Sequence, residues 1–155
     1  MATKPVPDGY HTVTPFLAIE NAAEAISFYE RAFGARERYR MPGPDDTIAH
    51  AELEIGDSLL MISDPFPEAG VSPPAALGGT TVGMYLYVED VDAFVARAVD
   101  AGATLTVPVE DMFWGDRFGQ VTDPYGHTWQ VSTHIEDVPA EEMAERAARA
   151  MAGSG

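Results

Sequence analysis

The sequence contains no cysteine, little positive charge and no long apolar run. The absence of cysteine excludes disulfides, thiolate nucleophiles and thiolate metal sites, which fits a cytoplasmic location. With 9 lysines and arginines against 25 aspartates and glutamates, the net charge of −16 argues against nucleic acid and anionic lipid as partners. No run approaches the roughly 20 apolar residues of a membrane-spanning helix. We therefore expect a cytoplasmic protein that has neither a nucleic-acid partner nor a membrane partner.

One pattern does occur twice along the chain. Residues 17–21 are an apolar stretch that ends in an acidic and an amide side chain, and the amphipathic segment that follows ends at Gly34. Residues 86–90 have a similar character, and the amphipathic segment after them ends at Gly102. Each copy then contains a glycine that precedes a further apolar stretch. The repeat predicts two similar structural units that form a groove together.

The periodicity of the apolar residues predicts strands and helices in the same order in both units. The predicted strands are residues 13–19, about 47–55, 58–63, 82–88, about 104–108, 118–123 and 127–134. The predicted helices are residues 22–33, 90–101 and about 139–151. Asn21 is a candidate N-cap for the first helix, and Gly34 is a candidate C-terminal stop. Residues 41–46 have the composition of a loop, and residues 109–117 are predicted to be irregular.

These elements predict one domain over residues 1–137 and a helical tail over residues 138–155. Within the domain the two units occupy about residues 12–64 and 82–134, and a linker rich in proline and glycine joins them at 65–81. The helix of the tail has a stripe of alanine and methionine, which we expect to pack on the body of the protein or on a second subunit. The stripe consists of Ala140, Met143, Ala144, Ala147, Ala148 and Met151.

Several motifs resemble those of a known superfamily. The segment 123–127 (DPYGH), together with the repeat, resembles the vicinal oxygen chelate superfamily, which includes glyoxalase I, extradiol dioxygenases and bleomycin-resistance proteins. The stretches that resemble its PhnB-like branch are residues 50–53, 56–58, 61–64, 113–117 and 126–137. The resemblance covers roughly residues 10–137. It implies an α+β fold in which two tandem βαβββ modules form a curved mixed sheet with a concave groove, and it implies a homodimer.

The chemistry of this superfamily depends on a divalent metal ion. The resemblance places the four metal ligands at Thr14, Met61, Gly83 and Gln130, none of which is His, Asp or Glu. A thioether is a poor ligand for a hard cation, and glycine offers no side chain. We therefore predict that the chain has no metal site, and we predict no other cofactor.

The remaining side chains of the groove form a mixed aromatic and polar lining, which is typical of a small-molecule pocket. Strand alternation places Thr14, Phe16, Met61, Ser63, Gly83, Tyr85, Tyr87, Gln130 and Ser132 on the concave side. The alternative is that the large side chains simply fill the cleft. Trp114 and Arg117 are further candidate ligand contacts. Arg117 either pairs with Asp116 in a structural role or binds a ligand carboxylate.

Two functions are compatible with this lining. The first is a metal-independent binding protein of the bleomycin-resistance type, which holds an aromatic or amphipathic small molecule in the groove. The second is a metal-independent isomerase or lyase of a small carbonyl compound. Its candidate acid/base residues are His50, Glu52 and Asp116. The alternative for His50 and Glu52 is a solvent-facing pair without a catalytic role.

Overall fold

The two sequence repeats fold into modules with the same order of elements, which confirms the predicted α+β class and the two βαβββ units. The computed structural model describes residues 2–153. The first module consists of β1 (Phe16–Ala18), α1 (Ala22–Phe33), β2 (Arg36–Pro42), β3 (Ile48–Ile55) and β4 (Ser58–Ser63). The short helix α2 (Pro74–Leu77) lies in the linker. The second module consists of β5 (Gly83–Tyr87), α3 (Val91–Ala101), β6 (Thr104–Asp111), β7 (Asp116–Thr122) and β8 (Thr128–His134), and it is followed by α4 (Ala140–Ala152).

Each module forms a four-stranded mixed sheet of the same topology. The strand order is β1-β4-β3-β2 in the first sheet and β5-β8-β7-β6 in the second. In both sheets the first and last strands of the module are parallel neighbours, whereas the other pairs are antiparallel. A parallel pair requires a long crossover connection, and the helix of each module forms part of it.

The chain divides into two compact units whose boundaries differ slightly from those of the repeats. The first unit comprises the residues up to Thr81 together with Pro124–His127, and the second comprises Val82–Asp123 and the residues from Thr128 onward. The turn between β7 and β8 thus belongs to the first unit. The predicted single domain and the predicted concave groove both depend on how the two units associate. Both therefore stay predictions.

The core of the first unit lies between α1 and one face of its sheet. The sheet contributes Leu17, Leu53 and Ile62, which are all buried. The apolar stripe of α1 is buried as well, and it consists of Ala22, Ala25, Ile26, Tyr29 and Phe33. Because one helix face and one sheet face meet here, the opposite face of the sheet is left for other contacts.

Both ends of α1 lie at the predicted residues, Asn21 and Gly34, but the capping bond expected from the Asn21 side chain is missing. Gly34 ends the helix in the left-handed conformation (φ 68°), which glycine adopts without steric cost. Asn21 makes no side-chain capping bond. Instead Asp64, at the end of β4, accepts a hydrogen bond from the Ala22 N–H at 3.2 Å. It also accepts one from the Ile48 N–H at 2.7 Å, so a tertiary contact replaces the predicted local one.

The second unit is built in the same way, with α3 on one face of its sheet. The buried positions of the helix are Val91, Val95 and Ala98. Trp129 and Val131 of β8 are fully buried in the same core. Among the described residues, no helix is long and apolar enough to cross a membrane.

The strands differ from the predicted ones in three main places. β2 was not located, because its sequence RERYRMP is mostly exposed and lacks apolar alternation, and the predicted loop 41–46 overlaps its end. β1 is shorter than the predicted strand 13–19. The irregular stretch predicted at 109–117 is mainly strand, because β6 and β7 continue their pairing as far as Asp111 and Arg117.

The tail helix α4 forms close to its predicted bounds, but its stripe is largely exposed. Only Met143 and Ala147 of the six predicted residues are half-buried. The helix is held by Arg146, which donates a hydrogen bond to the Phe113 carbonyl at 3.2 Å and pairs with the Glu136 carboxylate. Packing on its own unit therefore accounts for only part of the stripe.

Candidate functional site

The face of the first sheet that points away from α1 carries aromatic, apolar and charged side chains. The strand registers place Phe16, Met61 and Glu52 side by side in one row across β1, β4 and β3. Phe16 is 48% exposed, and the other two side chains are half-buried. These three predicted site residues therefore share one accessible surface.

His50 and Glu52 project from the same face of β3. The His50 Nε2 lies 3.8 Å from the Glu52 Oε2, and the two side chains are 25% and 21% exposed. The His50 ring centroid lies 6.2 Å from that of Phe16. An imidazole beside a carboxylate can transfer protons to and from a ligand, but an ordinary surface pair has the same geometry. Their predicted catalytic role stays a prediction.

A cavity of about 550 Å³ lies where the N-terminal segment meets this sheet face. Three predicted site residues, Thr14, Glu52 and Met61, line it. The N-terminal segment supplies the rest of the lining: Pro5, Val6, Pro7, Tyr10, His11 and Thr12. Sequence reasoning missed this segment because its prolines and polar residues show no strand or helix period. An isolated apolar group of Val6 and Tyr10 ahead of the first strand was the only available signal.

Tyr10 has the one buried side-chain polar atom without a hydrogen-bond partner in the part of the chain that the structure describes. The atom is its hydroxyl oxygen. A buried hydroxyl without a partner costs about 1–3 kcal/mol. Tyr10 lines the cavity, but its hydroxyl oxygen itself has almost no exposed surface.

Two other cavities in the first unit, of about 510 and 480 Å³, lie around Pro74 and Gly79. Proline and glycine form much of their walls, and none of the predicted site residues lines either of them. Of these three cavities, the one of about 550 Å³ is where predicted site residues and open volume coincide.

The second unit has a buried carboxylate at the centre of an aromatic group. Asp116 is 2% exposed. Its Oδ2 accepts hydrogen bonds from the Tyr85 hydroxyl at 2.9 Å, the Tyr87 hydroxyl at 3.0 Å and the Trp114 Nε1 at 3.1 Å. Its Oδ1 lies 2.8 Å from the His134 Nδ1. We call these five residues the Asp116 cluster, and it contains three of the predicted ligand contacts.

The surroundings of Asp116 keep its carboxyl group ionised. Burial alone would raise the pKa of Asp116, but the hydrogen bonds from His134, the two tyrosines and Trp114 outweigh burial and lower it. The hydrogen bond to Asp116 raises the pKa of Tyr87 to about 12. The pKa of His134 is raised by its hydrogen bonds to Asp116 and Asp137. An ionised carboxylate that already accepts four hydrogen bonds is poorly placed to take a proton from a ligand, which favours a positioning role over the predicted acid/base role.

Phe118 and His134 belong to the surroundings of this cluster, although neither was among the predicted site residues. Phe118 stacks on Tyr85 with 5.8 Å between ring centroids. Alternation along β7 puts Phe118 on the same face as Asp116, so the sequence did contain a signal for it. His134 and Asp116 lie opposite each other at one end of the β7–β8 pair, so their contact could be predicted only from the register of these two strands.

Ser63 and Ser132 are buried, and their predicted contact with a ligand stays a prediction. The Ser63 hydroxyl donates to the Asp64 carbonyl at 2.9 Å. The Ser132 Oγ lies 2.6 Å from the Tyr85 hydroxyl oxygen. Strand alternation gives the face on which a side chain lies, but it does not give the depth at which larger neighbours cover it.

Arg117 lies on the opposite face of β7 from Asp116, because neighbouring residues of a strand point to opposite sides. Its guanidinium donates two hydrogen bonds to Asp92 of α3, at 2.7 and 3.0 Å. A third goes to Asp111 at 2.9 Å. The anticipated pair with Asp116 is therefore not formed. These bonds raise the pKa of Arg117 and favour the structural alternative over the binding of a ligand carboxylate.

The four positions that align with metal ligands do not fit a divalent ion. In the first unit, Thr14 makes a long hydrogen bond of 3.5 Å to the His11 carbonyl, and Met61 offers only a thioether. In the second unit, a Cβ added at Gly83 would lie 3.1 Å from the Gln130 side-chain oxygen. That position therefore has little room for a longer ligating side chain. Within the described residues, no three His, Cys, Asp or Glu side chains are grouped so that they could hold a metal ion.

Known proteins are similar to this chain in sequence and in fold. An uncharacterised protein of Mycobacterium bovis is 43% identical over 146 residues, which cover 92% of this chain and 95% of that protein. The structure of a gene product from Arabidopsis thaliana has a TM-score of 0.65 and 31% identity, and the match covers 79% of this chain and 98% of that one. The PhnB protein from Bacillus cereus, described as a putative 3-demethylubiquinone-9 3-methyltransferase, has a TM-score of 0.60 at 21% identity, with 79% and 99% of the chains covered. At that identity the likeness concerns the fold alone.

A family model identifies the superfamily to which these similarities point. The model of the Glyoxalase/Bleomycin resistance protein/Dioxygenase superfamily matches residues 10–131, which is most of the chain. The match covers both βαβββ modules as far as β8, and it confirms the superfamily predicted from the repeat and the DPYGH segment. The chain therefore belongs to the glyoxalase/bleomycin resistance protein/dioxygenase superfamily.

Proposed function

We propose that this chain is a metal-independent binding protein for an aromatic or amphipathic small molecule. The observation that carries the proposal is the cavity of about 550 Å³ in the first unit. Its volume lies within the range of roughly 300–1,000 Å³ that small-molecule sites occupy. Its lining combines apolar side chains with a few polar groups, which is the composition that an amphipathic ligand requires.

Two polar groups of this cavity have unused hydrogen-bonding capacity. The Tyr10 hydroxyl has no partner among the described residues. The ionic neighbour of Glu52 is His50, at 3.8 Å, which is too long for a hydrogen bond. A ligand whose polar group reaches Glu52, and whose apolar part lies against Met61, would use both kinds of surface.

Calorimetric titration with a panel of aromatic amines, aromatic carboxylates and neutral aromatics tests the proposal. At least one compound should bind and raise the melting temperature. Met61→Ala should weaken its binding by about tenfold, because the ligand loses apolar contact of roughly 1.5 kcal/mol. The matched control is Met151→Ala on α4, since Met151 is 73% exposed and lies outside the cavity. Absence of binding by every compound, or equal effects of the two substitutions, would contradict the proposal.

The independence from metal is supported by the donor chemistry of Thr14, Met61, Gly83 and Gln130. Ligand binding should be unchanged when the purified protein is treated with a chelator. Elemental analysis that finds one Mn, Fe, Ni or Zn per chain, with loss of ligand binding on chelation, would contradict it. We also propose that the chain belongs to the PhnB-like branch, on the motifs of residues 113–117 and 126–137.

A metal-independent isomerase or lyase of a small carbonyl compound is the second candidate. It is favoured by the His50–Glu52 pair, since Glu52 lines the cavity. If the best ligand is converted to product, Glu52→Gln should lower turnover about 100-fold or more while binding persists. Asp57→Asn, in the turn between β3 and β4, is the control. Binding without any product would exclude this candidate.

We further propose that the protein is a cytoplasmic homodimer without a nucleic-acid or membrane partner. The net charge of −16 supports the absence of those two partners. The exposed part of the α4 stripe leaves apolar surface for contact with a second copy. Light scattering after size-exclusion chromatography should give the mass of two chains, and the mass of one chain would contradict the dimer.

A further inference from the structure

The exposed aromatic surface of the second unit has hydrogen bonds whose direction is set by Asp116. Tyr85 is 40% exposed and Tyr87 is 64% exposed, although both hydroxyls reach the buried carboxylate. An ionised carboxylate can only accept hydrogen bonds, so both phenol protons must point inward, toward Asp116. Ser132 must then donate to the Tyr85 oxygen, 2.6 Å away, because Tyr85 has no second proton.

His134 is also the donor in both of its hydrogen bonds. Its Nδ1 lies 2.8 Å from the Asp116 Oδ1, and its Nε2 lies 2.7 Å from the Asp137 Oδ1. Because both neighbours are carboxylates, both ring nitrogens carry protons and the imidazole is positively charged. Asp116, Asp137 and the imidazolium of His134 together carry one net negative charge, and both donors of His134 are occupied.

The groups that remain for a ligand are acceptors and ring faces. The Tyr87 oxygen keeps lone pairs that do not face Asp116, and the Trp114 N–H is already bound to Asp116. The rings of Tyr85 and Tyr87 lie 5.3 Å apart with their planes at 50°, so they form an angled aromatic surface. Within the Asp116 cluster, every side-chain donor is bound to Asp116, Asp137 or Tyr85, and the polar atoms that remain for a ligand can only accept.

We infer that this surface binds an organic ammonium group carried on an aromatic body. The ammonium donates to the Tyr87 oxygen, and its charge is attracted by the ring faces and by the net negative charge of the Asp116 cluster together with Asp137. A carboxylate or phosphate group would find no donor in the cluster and would be repelled by its charge. The chain's net charge of −16 adds a long-range attraction for cations. The inference does not depend on the cavity of the first unit.

Two probes with similar skeletons and opposite charges test the inference. The full chain, with ¹³C-labelled tyrosine rings and methionine methyl groups, is titrated with phenethylamine and separately with phenylacetate, and carbon NMR follows the binding. Phenethylamine should shift the Tyr85 and Tyr87 signals to saturation, whereas phenylacetate should leave them unchanged. Tyr87→Ala should weaken phenethylamine binding by about tenfold. Tyr39→Ala, at a half-exposed tyrosine of β2, is the matched control and should leave the affinity unchanged.

Tyr87→Phe separates the hydroxyl from the ring. It keeps the aromatic face and removes the acceptor, so its affinity for phenethylamine should lie between those of the unchanged chain and Tyr87→Ala. Equal binding of phenylacetate at the tyrosines, or an unchanged affinity in Tyr87→Ala, would overturn the inference. The Met61 methyl signal reports on the first unit's cavity, so it distinguishes a failure there from a failure at Tyr87.

Discussion

The sheets of the two modules have the same topology, but the polar side chains on their exposed faces differ in hydrogen bonding. On the first sheet, Glu52 has a neighbour only at 3.8 Å, and the nearby Tyr10 hydroxyl has no partner among the described residues. On the second sheet, Asp116 accepts four hydrogen bonds between 2.8 and 3.1 Å. The same sheet topology therefore carries two different arrangements of polar side chains. On the first face they lie beside a cavity and lack hydrogen bonds, whereas on the second they hydrogen-bond to one another. On the first face, new contacts with the ligand should contribute most to binding. On the second face, the preorganisation of the polar groups should contribute more.

The largest test of this contrast is removal of the central carboxylate from each face. Asp116→Ala should lower the free energy of unfolding by about 3 kcal/mol, because it leaves several donors and a charged imidazole without their acceptor. Glu52→Ala should cost under about 1 kcal/mol, since it breaks no hydrogen bond. Urea denaturation of both variants measures the difference, and equal losses would remove the contrast.

A second test compares two glycines in turns that precede strands of the two sheets. Gly115 has φ 100°, and a Cβ added there would collide with the Glu136 carbonyl oxygen. Gly56 has φ 59°, and a Cβ there would meet nothing within 4 Å. Gly115→Ala should therefore cost about 3 kcal/mol, and Gly56→Ala only about 1 kcal/mol from its left-handed backbone. Thermal unfolding of the two variants checks the order, which would be reversed if the loop beside Asp116 could move freely.

The pH dependence of stability should also distinguish the second face. The lowered pKa of Asp116 contributes stability that is complete above its unfolded value of about 3.9 and is lost as the pH falls through the folded pKa. The raised pKa of His134, which faces Asp116, Asp137 and Tyr87, contributes stability below its unfolded value of about 6.5. That contribution is lost as the pH rises through the folded pKa of His134. The cluster should thus stabilise the fold most between about pH 4 and 6.5.

The variant His134→Gln isolates the histidine part of this profile. Its deficit in unfolding free energy, relative to the unchanged chain, should be largest at about pH 5 to 6 and should shrink at alkaline pH. Chemical denaturation over this range provides the measurement. A deficit that is constant with pH would show that the charge of His134 has no part in the cluster.

The smallest expected effect comes from Arg117→Lys. The lysine keeps the charge but cannot make the two-pronged contact with Asp92. The melting temperature should fall slightly, and phenethylamine binding at Tyr87 should not change, because Arg117 points to the helix side of β7. A marked loss of affinity for an aromatic carboxylate at unchanged melting temperature would favour the carboxylate-binding alternative for Arg117.

The repeat made the fold predictable, because two copies of one pattern constrain each other. The stripe of α1 and the stop at Gly34 followed from local periodicity and backbone preference. Asp64 as a helix cap did not, since its partners Ala22 and Ile48 are distant in sequence. For the site, alternation identified Tyr85 and Tyr87 as outward-facing, but it gave no information on hydrogen bonds. The hydrogen bonds from these tyrosines to Asp116 could not be predicted without the strand register. The cavity at Tyr10 could not be predicted without the path of an irregular segment.

The turn at Pro124–His127 limits how the polypeptide can be divided. The chain passes between the two units three times, because this turn lies in the first unit although it connects two strands of the second. Its Tyr125 ring lies 6.1 Å from Phe28 and 6.4 Å from Tyr29. Cleavage within the linker would therefore release an N-terminal fragment that lacks part of its own aromatic core. The two halves should behave as interlaced fragments that need each other in complementation, in contrast to modules that can be expressed separately.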